Sequence, residues 1–345
     1  MVNSSASRAP APSAPSDGAQ AHLPGFADVA AAYTRLAGTV VRTPLVRADA
    51  LDAAAGRPVF VKAECLQRTG SFKYRGASNR IMQLSEAERA AGVVAFSSGN
   101  HAQGVAAAAR EAGIAATIVM PRDAPHVKVN GVRASGADIV FMDRQSEDRE
   151  AIAQAIAQER GAVLIPSYDD PHVIAGQGTA GIECAEQLKA LGIVPQALVT
   201  CTGGGGLTAG LALAWEELCP VAKIYGAEPE GFDDHRRSFA AGKRLRNARL
   251  GGSICDALMT PEPGRLTFAI NKTRVQDALA ADDNAVRAAM RFAFDHLKIV
   301  LEPGGAMALA VTLKGLVPGD GPLCVLATGG NVDAEKFARI IAKPD

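Results

Sequence analysis

The sequence predicts an α/β protein built on parallel sheets, because short apolar segments alternate with alanine-rich amphipathic segments from about Phe26 onward. The apolar segments are hydrophobic throughout, as expected of strands that are covered on both faces. The segments between them have the composition and apolar spacing of helices. Strand–helix alternation of this kind is typical of layered α/β folds.

The predicted elements follow one another along the chain with few breaks. The strands are short apolar runs, and the run at 116–120 ends at Pro121, which cannot continue a strand ladder. Strands are expected at residues 59–62, 93–96, 116–120, 139–141, 162–165, 197–200 and 323–327. Helices are expected at residues 74–84, 101–112, 147–159, 176–190 and 207–218.

The chain is expected to divide into two domains and a tail. Residues 74–162 have a strand–helix rhythm of their own, which suits a small domain inserted into a larger one of residues 26–73 and 163–345. Residues 1–25 are rich in alanine, serine and proline and lack the apolar segment of a secretory signal. We therefore expect a disordered tail there.

The composition excludes several classes of function. The chain has 345 residues, 48% hydrophobic and 21% charged, as is ordinary for a soluble protein of two domains. Its 36 basic and 36 acidic residues balance, so nothing indicates nucleic-acid or membrane binding. No segment reaches the roughly 18 apolar residues of a membrane span. The six cysteines lack CxxC spacing, and we expect reduced core residues in a cytoplasmic protein.

Lys73 is the first candidate for chemistry. It lies between Gly70 and Gly76, just before the helix expected from residue 74. The positive end of the helix dipole disfavours the ammonium form, and a neutral amine is the better nucleophile and base. Such an amine suits a Schiff base. The alternative is an ordinary solvated lysine in a loop.

Gly203 to Gly206 form an uninterrupted glycine tetrad between a predicted strand and a predicted helix. Because glycine lets successive backbone N–H groups converge on one anion, this arrangement is typical of a phosphate site. The tetrad lacks the G-x-G-x-x-G spacing and the P-loop lysine, which disfavours a dinucleotide or ATP. One cofactor needs both an amine and a phosphate cradle, and that cofactor is pyridoxal 5′-phosphate (PLP).

The tetrad and the segment Ser71-Phe72-Lys73-Tyr74-Arg75-Gly76-Ala77 together resemble the fold-type II PLP enzymes, the group of serine and threonine dehydratases, serine racemase and tryptophan synthase β. The resemblance covers residues 26–340 and is closest in motifs to serine racemase and 3-hydroxyaspartate dehydratase (ammonia-lyase). It implies two parallel α/β domains with PLP in the cleft between them, the small domain closing over the substrate. It also implies a homodimer and, because the chain ends soon after Asn331, no C-terminal regulatory domain.

The resemblance assigns the cofactor contacts. The glycine tetrad would bind the phosphate, Asn100 the 3′-oxygen of the ring, and the Thr328 hydroxyl the pyridine nitrogen. Thr328 is a mild departure, because the racemase-like members usually have serine there. The full set implied to bind PLP is Phe72, Lys73, Asn100, Gly203, Gly204, Gly205, Gly206, Leu207, Glu302 and Thr328.

Residues 97–101 lie between a predicted strand and a predicted helix, where serine and asparagine are ordinary helix caps. Free N–H groups at a helix start also bind anions, here the α-carboxylate of a substrate. The resemblance implies that Ser97, Ser98, Asn100 and His101 bind the substrate. It further implies that Ser98 acts as a catalytic acid/base on the face opposite the catalytic Lys73.

The acids Glu228 and Asp234 lie in a stretch that we expect to be rich in turns. Such carboxylates, with a backbone oxygen, chelate a hard cation, although a surface loop with a helix cap explains them equally well. The resemblance implies that Glu228, Asp234 and the carbonyl of Phe232 bind Mg²⁺, Mn²⁺ or Ca²⁺.

Arg149, at the start of a predicted helix, would ordinarily be solvated. The resemblance places an arginine here near the substrate side chain, where a guanidinium suits a second carboxylate. The expected function is therefore PLP-dependent elimination from a β-hydroxy amino acid, led by 3-hydroxyaspartate, giving a 2-oxo acid and ammonia. The alternatives are a serine or threonine ammonia-lyase, an amino-acid racemase, and a PLP-binding protein without turnover.

Overall fold

The computed structural model of the chain describes residues 23–97, 99–143, 146–249 and 251–342. Its strands are β1 (Leu45–Val46), β2 (Val59–Ala63), β3 (Val93–Phe96), β4 (Ala116–Pro121), β5 (Asp138–Met142), β6 (Val163–Leu164), β7 (Ala197–Cys201), β8 (Lys223–Pro229), β9 (Asp277–Ala281) and β10 (Leu323–Ala327). They form a larger sheet in the order β1-β2-β10-β7-β8-β9 and a smaller one in the order β5-β4-β3-β6. Within these sheets every pair is parallel except β1 with β2, which confirms the predicted α/β class.

Helices cover both faces of each sheet, as parallel strands require. They are α1 (Phe26–Arg35), α2 (Asp49–Ala55), α3 (Lys73–Ile81), α4 (Glu86–Ala91), α5 (Asn100–Glu111), α6 (His126–Ala134), α7 (Arg149–Arg160), α8 (Pro171–Ala190), α9 (Gly206–Leu218), α10 (Asp234–Ala241), α11 (Arg265–Arg274), α12 (Asp283–Phe292), α13 (Pro303–Leu313) and α14 (Ala334–Ile341). Among the described residues, no helix is long and apolar enough to cross a membrane.

The apolar core is split by the two sheets. On the larger sheet, α12 and α13 pack on one face and α1, α8, α9 and α11 on the other. On the smaller sheet, α3, α5 and α6 pack on one face and α7 on the other. The smaller sheet includes Val163–Leu164, just past the boundary expected at 162. We keep the two-domain division as a proposal, with the boundary moved past Leu164.

The helix expected at 176–190 begins earlier, at Pro171. The Asp170 carboxylate accepts hydrogen bonds from the N–H groups of His172 and Val173, each at 2.8 Å. Proline is favoured in the first helical turn because its missing N–H would have no partner there. The dipeptide Asp170-Pro171 is thus a cap signal that the periodicity alone did not reveal.

A buried ionic cluster fixes α3 against the larger sheet. The Arg75 guanidinium bonds the Glu64 carboxylate at 2.8 Å from two of its nitrogens. It also bonds the Glu183 carboxylate on α8 at 2.8 and 2.9 Å. Lys62 of β2 donates to the same Glu183 at 2.6 Å, and all four side chains are buried. Because Arg75 is the third residue of α3, this cluster sets where the helix begins.

We predict that Glu183→Gln lowers the free energy of unfolding by about 3 kcal/mol, because it leaves Arg75 and Lys62 buried with less compensating charge. The matched control is Glu186→Gln on the same helix. Glu186 pairs with Arg42 at side-chain exposures of 45% and 48%, so its loss should cost under about 1 kcal/mol. Urea denaturation measures both variants, and equal losses would contradict the importance of the buried cluster.

Candidate active site

The candidate site lies where the carboxyl ends of parallel strands meet, the usual position for ligands in open α/β sheets. Residues 97–100 follow β3, the glycine tetrad follows β7, and residues 328–331 follow β10. Lys73 follows β2 after two short 3₁₀ turns. The fold therefore gathers the predicted segments at one edge, although they are far apart in sequence.

The Lys73 side chain is half-buried, and α3 begins at this residue. Its Nζ donates to the carbonyl of Ser167 at 2.6 Å and lies 5.2 Å from the ring centroid of Phe72. Burial lowers the pKa of the Lys73 amine to about 8. A carbonyl does not offset the lost hydration of an ammonium as a carboxylate would, so the neutral amine becomes accessible near neutral pH.

Hydrogen bonds join the backbone around Lys73 to the segment that follows β10. The Phe72 N–H donates to the Thr328 carbonyl at 3.2 Å, and the Gly330 N–H donates to the Gly70 carbonyl at 2.9 Å. Ser71 and Gly329 form a bridge between these two bonds. The position of Lys73 is therefore fixed by the end of the central strand β10 as well as by its own helix.

The glycine tetrad forms a loop whose N–H groups are available to an anion. Gly205 has φ +90°, which only glycine adopts without strain, and it caps the N-terminus of α9. The Thr267 hydroxyl donates to the Gly204 carbonyl at 2.6 Å, and the Asn271 amide to the Gly205 carbonyl at 3.2 Å. In the described part of the chain, the N–H groups of Gly203 to Gly205 donate to no backbone carbonyl. Leu207, in the first turn of α9, is buried.

Tyr168 and Asp169, which precede α8, support the glycine loop from its outer side. Tyr168 packs so closely on the loop that a Cβ at Gly206 would lie 2.9 Å from the tyrosine, and one at Gly204 would overlap its ring. Asp169 accepts hydrogen bonds from the N–H groups of Arg265, Leu266 and Thr267 and so caps α11. Because α11 carries Thr267, the segment that holds the Lys73 amine also supports the glycine loop.

A second polar network surrounds Asn100, the first residue of α5. Its amide donates to the Glu302 carboxylate and accepts from Asn331 at 2.9 Å. Glu302 in turn pairs with the buried Lys128 of α6 at 3.0 Å, and Lys128 lies 3.7 Å from Asp256. Burial alone would lower the pKa of Lys128, but the two carboxylates hold it above its usual value. This network ties α5 and α6 to the larger sheet.

Ser97 and His101 frame the start of α5, while Ser98 lies outside the described residues. The Ser97 hydroxyl accepts from the Gly99 N–H at 3.1 Å. His101 is 2% exposed, and its Nε2 lies 2.9 Å from the Ile165 carbonyl. Burial, with nearby Lys73, lowers the pKa of His101 to about 3. Its imidazole is therefore neutral and turned into the core. An anion at the start of α5 would meet the backbone N–H of His101 rather than a positive charge.

Thr328 is 5% exposed and lies beside Cys201 at the end of β7. Burial raises the pKa of the Cys201 thiol, and the Thr328 side chain partly opposes that shift. The Cys201 sulfur also accepts from the Ala308 N–H at 3.3 Å. Thr328 thus lies in the floor of the site. It follows β10, whose end is bonded to the backbone around Lys73, and it lies beside β7, which leads into the glycine loop.

Arg149 is the first residue of α7, and its guanidinium carbon lies 5.8 Å from the ring centroid of Phe96. Phe96 directly precedes Ser97. The positive charge of Arg149 also acts on Tyr168, where it opposes the rise that burial causes in the tyrosine pKa. Arg149 is exposed and therefore lies at the mouth of the site rather than in its floor.

The acids proposed for a cation do not lie in a turn-rich stretch, as the sequence analysis expected. Glu228 lies in β8, and Asp234 is the first residue of α10. Glu228 is fully buried and accepts from the N–H groups of His235 at 2.8 Å and Arg236 at 2.9 Å. A strand followed by a tight turn at the buried Phe232 brings the two carboxylates together.

These carboxylates fit a cation by their electrostatics. Burial, then the charge of Asp234, raises the pKa of Glu228 well above its usual value. Burial raises the pKa of Asp234 to about 7, and its Oδ2 is buried without a hydrogen-bond partner. No cluster of three or more His, Cys, Asp or Glu side chains suited to a metal occurs in the described ranges. A site here would therefore need backbone oxygen or water as well.

Sequence reasoning missed four residues that the structure adds to the site. Lys128, Tyr168 and Asp169 are described above, and His235 lies against the glycine loop. Each acts through a partner distant in sequence, so no local pattern marks it. The sequence did contain one local signal, Asp169-Asp170-Pro171. Asp170 alone is enough to cap α8, so the second acid, Asp169, is left for another role, which is the cap of α11.

We predict that Lys73 in cofactor-free protein reacts with acetic anhydride with a midpoint near pH 8, because burial disfavours its charged form. An unstructured lysine peptide in the same solution provides the reference, with a midpoint near 10.4. Mass spectrometry of the Lys73 peptide across the pH range measures the difference. A midpoint equal to that of the reference peptide would contradict the burial of the amine.

Comparison with known proteins agrees with this geometry. The family model described as pyridoxal-phosphate dependent enzyme matches residues 36–329. L-threo-3-hydroxyaspartate ammonia-lyase of Pseudomonas sp is 46% identical over 92% of this chain and 99% of its own. Serine racemase of Schizosaccharomyces pombe is 39% identical over 93% of this chain and 98% of its own.

The solved structures agree as well. Maize serine racemase superposes with a TM-score of 0.87 at 36% identity, covering 92% of this chain and 97% of that one. A threonine deaminase from T.th. superposes with a TM-score of 0.85 at 42% identity, covering 90% of this chain and 99% of that one. The region that the family model matches contains both the lysine segment and the glycine tetrad, on which the resemblance was based. The chain therefore belongs to the pyridoxal-phosphate dependent enzymes, in the fold-type II group.

Proposed function

We propose that the protein is an ammonia-lyase that eliminates water from 3-hydroxyaspartate. The enamine that is released then takes up water and hydrolyses to a 2-oxo acid and ammonia. The observation that carries the proposal is the Lys73 amine, whose pKa burial lowers to about 8, at the same strand edge as an anion-binding glycine loop. The hydroxyaspartate ammonia-lyase at 46% identity supports the choice of reaction. Arg149 at the mouth of the site supports the choice of a dicarboxylate substrate.

The residues fit PLP: the N–H groups of Gly203 to Leu207 would hold its phosphate, and the Thr328 hydroxyl would meet its pyridine nitrogen. Helix α9 adds its positive dipole end to the phosphate site. Asn100 is held by Glu302 and Asn331, so its amide is oriented for a ring oxygen. Phe72 lies beside the amine. When bound, PLP supplies the electron sink for the charge that develops on the substrate α-carbon.

We propose that Lys73 moves the proton in this reaction. Its Nζ takes the proton from the substrate α-carbon, a role for which an amine pKa of about 8 is well suited. The Ser167 carbonyl orients the amine through the 2.6 Å hydrogen bond. Ser98 is proposed as the acid/base on the opposite face.

The start of α5 is proposed to bind the substrate α-carboxylate. The first N–H groups of a helix have no partner within that helix, and Ser97, Ser98 and Asn100 would add hydroxyl and amide donors. His101 contributes its N–H, since its ring is buried against Ile165. The second carboxylate of hydroxyaspartate would then face Arg149, which forms a bidentate pair more readily than lysine does.

A divalent cation is proposed at Glu228, Asp234 and the Phe232 carbonyl. The support is the buried Asp234 oxygen without a partner and the raised pKa of Glu228, which a cation would relieve. The ion would lie behind the glycine loop and act on structure rather than on the substrate.

Two further features of the protein are proposals. A reduced, cytoplasmic setting is supported by the six free cysteines, of which all but Cys219 are buried. A homodimer is proposed from the family resemblance alone, and sedimentation equilibrium tests it.

A second candidate activity is racemisation or elimination of serine or threonine on the same site, supported by the serine racemase at 39% and the threonine deaminase at 42% identity.

We predict that 2-oxo acid release is fastest with L-threo-3-hydroxyaspartate in a panel that includes L-serine and L-threonine. Lys73→Ala should abolish release on all three, and Lys272→Ala, an exposed lysine, should not. Faster conversion of L-serine to D-serine, scored by chiral chromatography, would favour the racemase instead.

We predict that Arg149→Ala lowers kcat/KM for 3-hydroxyaspartate by on the order of 10- to 100-fold, the loss expected for one charge-assisted hydrogen bond. Serine turnover should change little, because serine has no second carboxylate. Arg160→Ala, at the other end of α7, is the control. Equal losses on both substrates would show that Arg149 does not select the dicarboxylate.

A further inference from the structure

His235 is a buried polar side chain with no evident purpose in its own helix. It is the second residue of α10 and is fully buried, and neither ring nitrogen has a partner of good hydrogen-bond geometry in the described part of the chain. Burial lowers the pKa of the ring to about 4, and the Gly203 backbone, in the glycine loop, partly opposes that shift. Burying an imidazole without partners is costly, so such a residue calls for an explanation.

The ring of His235 lies directly against the glycine loop. A Cβ at Gly205 would be 2.7 Å from the His235 Cε1, closer than real side chains approach. On its other side the ring meets Phe239 edge-on at 5.7 Å, and Phe239 stacks on Phe268 of α11 at 6.1 Å. The imidazole therefore fills the space between α10 and the residue at which the loop turns into α9.

The backbone of His235 is held by the proposed cation site. Its N–H donates to Glu228 at 2.8 Å, and its preceding neighbour is Asp234. Asp234 is anchored by the Asn247 amide on one oxygen and has no partner on the other. Because Glu228 also accepts from the N–H groups of His235 and Arg236, a cation shared by Glu228 and Asp234 would fix the first turn of α10, which is the turn that carries His235.

We propose that His235 couples the cation site to the phosphate loop, so that Mg²⁺ and PLP each tighten the binding of the other. The proposal depends on the cation site in the proposed function. A bound cation holds the first turn of α10 in place and with it the imidazole behind Gly205. The loop then keeps its N–H groups turned toward the phosphate, and the linkage is reciprocal by thermodynamic necessity.

The test measures binding and needs no turnover. The full chain is dialysed against PLP with Mg²⁺ or with EDTA, and bound cofactor is read from its visible absorbance. Calorimetry measures Mg²⁺ binding to the holoenzyme. We expect Mg²⁺ to tighten PLP binding about tenfold in the unaltered protein, within the range usual for coupled sites. The ratio of the PLP affinity in Mg²⁺ to the PLP affinity in EDTA should fall toward one in His235→Ala, while Mg²⁺ still binds.

Three further variants make the result specific. Ser238→Ala changes another buried residue of α10, one that bonds the Leu245 N–H at 2.9 Å, and should leave the ratio intact. Glu228→Gln should abolish both Mg²⁺ binding and the ratio. His235→Asn replaces the alanine variant if that one fails to fold, and it should also lose the coupling because it is too short to reach Gly205.

The outcomes separate the two claims. Equal PLP affinity with and without Mg²⁺ in a protein that binds Mg²⁺ overturns the coupling and leaves the cation site standing. An undiminished ratio in both His235 variants assigns the coupling to other residues and overturns the role of His235. Absence of any Mg²⁺ binding overturns the cation site itself and the coupling with it, whereas PLP binding would still stand.

Discussion

The site depends on one half-buried lysine, Lys73, that has no carboxylate partner in the described part of the chain. Lys62 and Lys128 are more deeply buried, but Lys62 bonds Glu183 at 2.6 Å and Lys128 pairs with Glu302 at 3.0 Å. Those carboxylates offset the lost hydration of the two ammonium groups, and they hold the pKa of Lys128 above its usual value. Among the residues that the structure describes, the Lys73 amine donates to the Ser167 carbonyl and pairs with no carboxylate, and burial lowers its pKa to about 8. A structural lysine is thus distinguished from a reactive one by what surrounds it, not by its burial.

The remaining architecture keeps that amine in place relative to the phosphate loop. Arg75, two residues further along α3, is locked by Glu64 and Glu183, while the preceding backbone is bonded to the end of β10. The Asp169 cap on α11 supports the glycine loop from the same segment that provides the Ser167 carbonyl. Rigid elements therefore carry both groups that are proposed to hold the cofactor, the amine and the glycine loop, as precise sites require. Because these contacts hold the reacting groups in position beforehand, less freedom of motion is lost during the reaction, which lowers its barrier.

The sequence predicted those parts of the site that follow from local pattern. The bounds of β3 and β10 agree with the expected strands, and Lys73 does begin a helix. Prediction failed where tertiary contacts decide. Glu228 looked like a loop residue but lies in β8. The burial of the His101 ring against the Ile165 carbonyl was not foreseen either, while its role at the substrate carboxylate stays a prediction. His235 carries no motif, because its partner Gly205 is distant in sequence and the contact exists only in the folded chain.

The central claim is that the Lys73 amine, and no other, forms the covalent link to the cofactor. Borohydride reduction of the holoenzyme fixes that link, and peptide mass spectrometry then locates the added pyridoxyl group. The account predicts the label on the peptide that contains Lys73, with Lys62 and Lys128 unmodified because both are buried in ion pairs with carboxylates. A label on either of those lysines, or a holoenzyme that gives no reducible link, would contradict it.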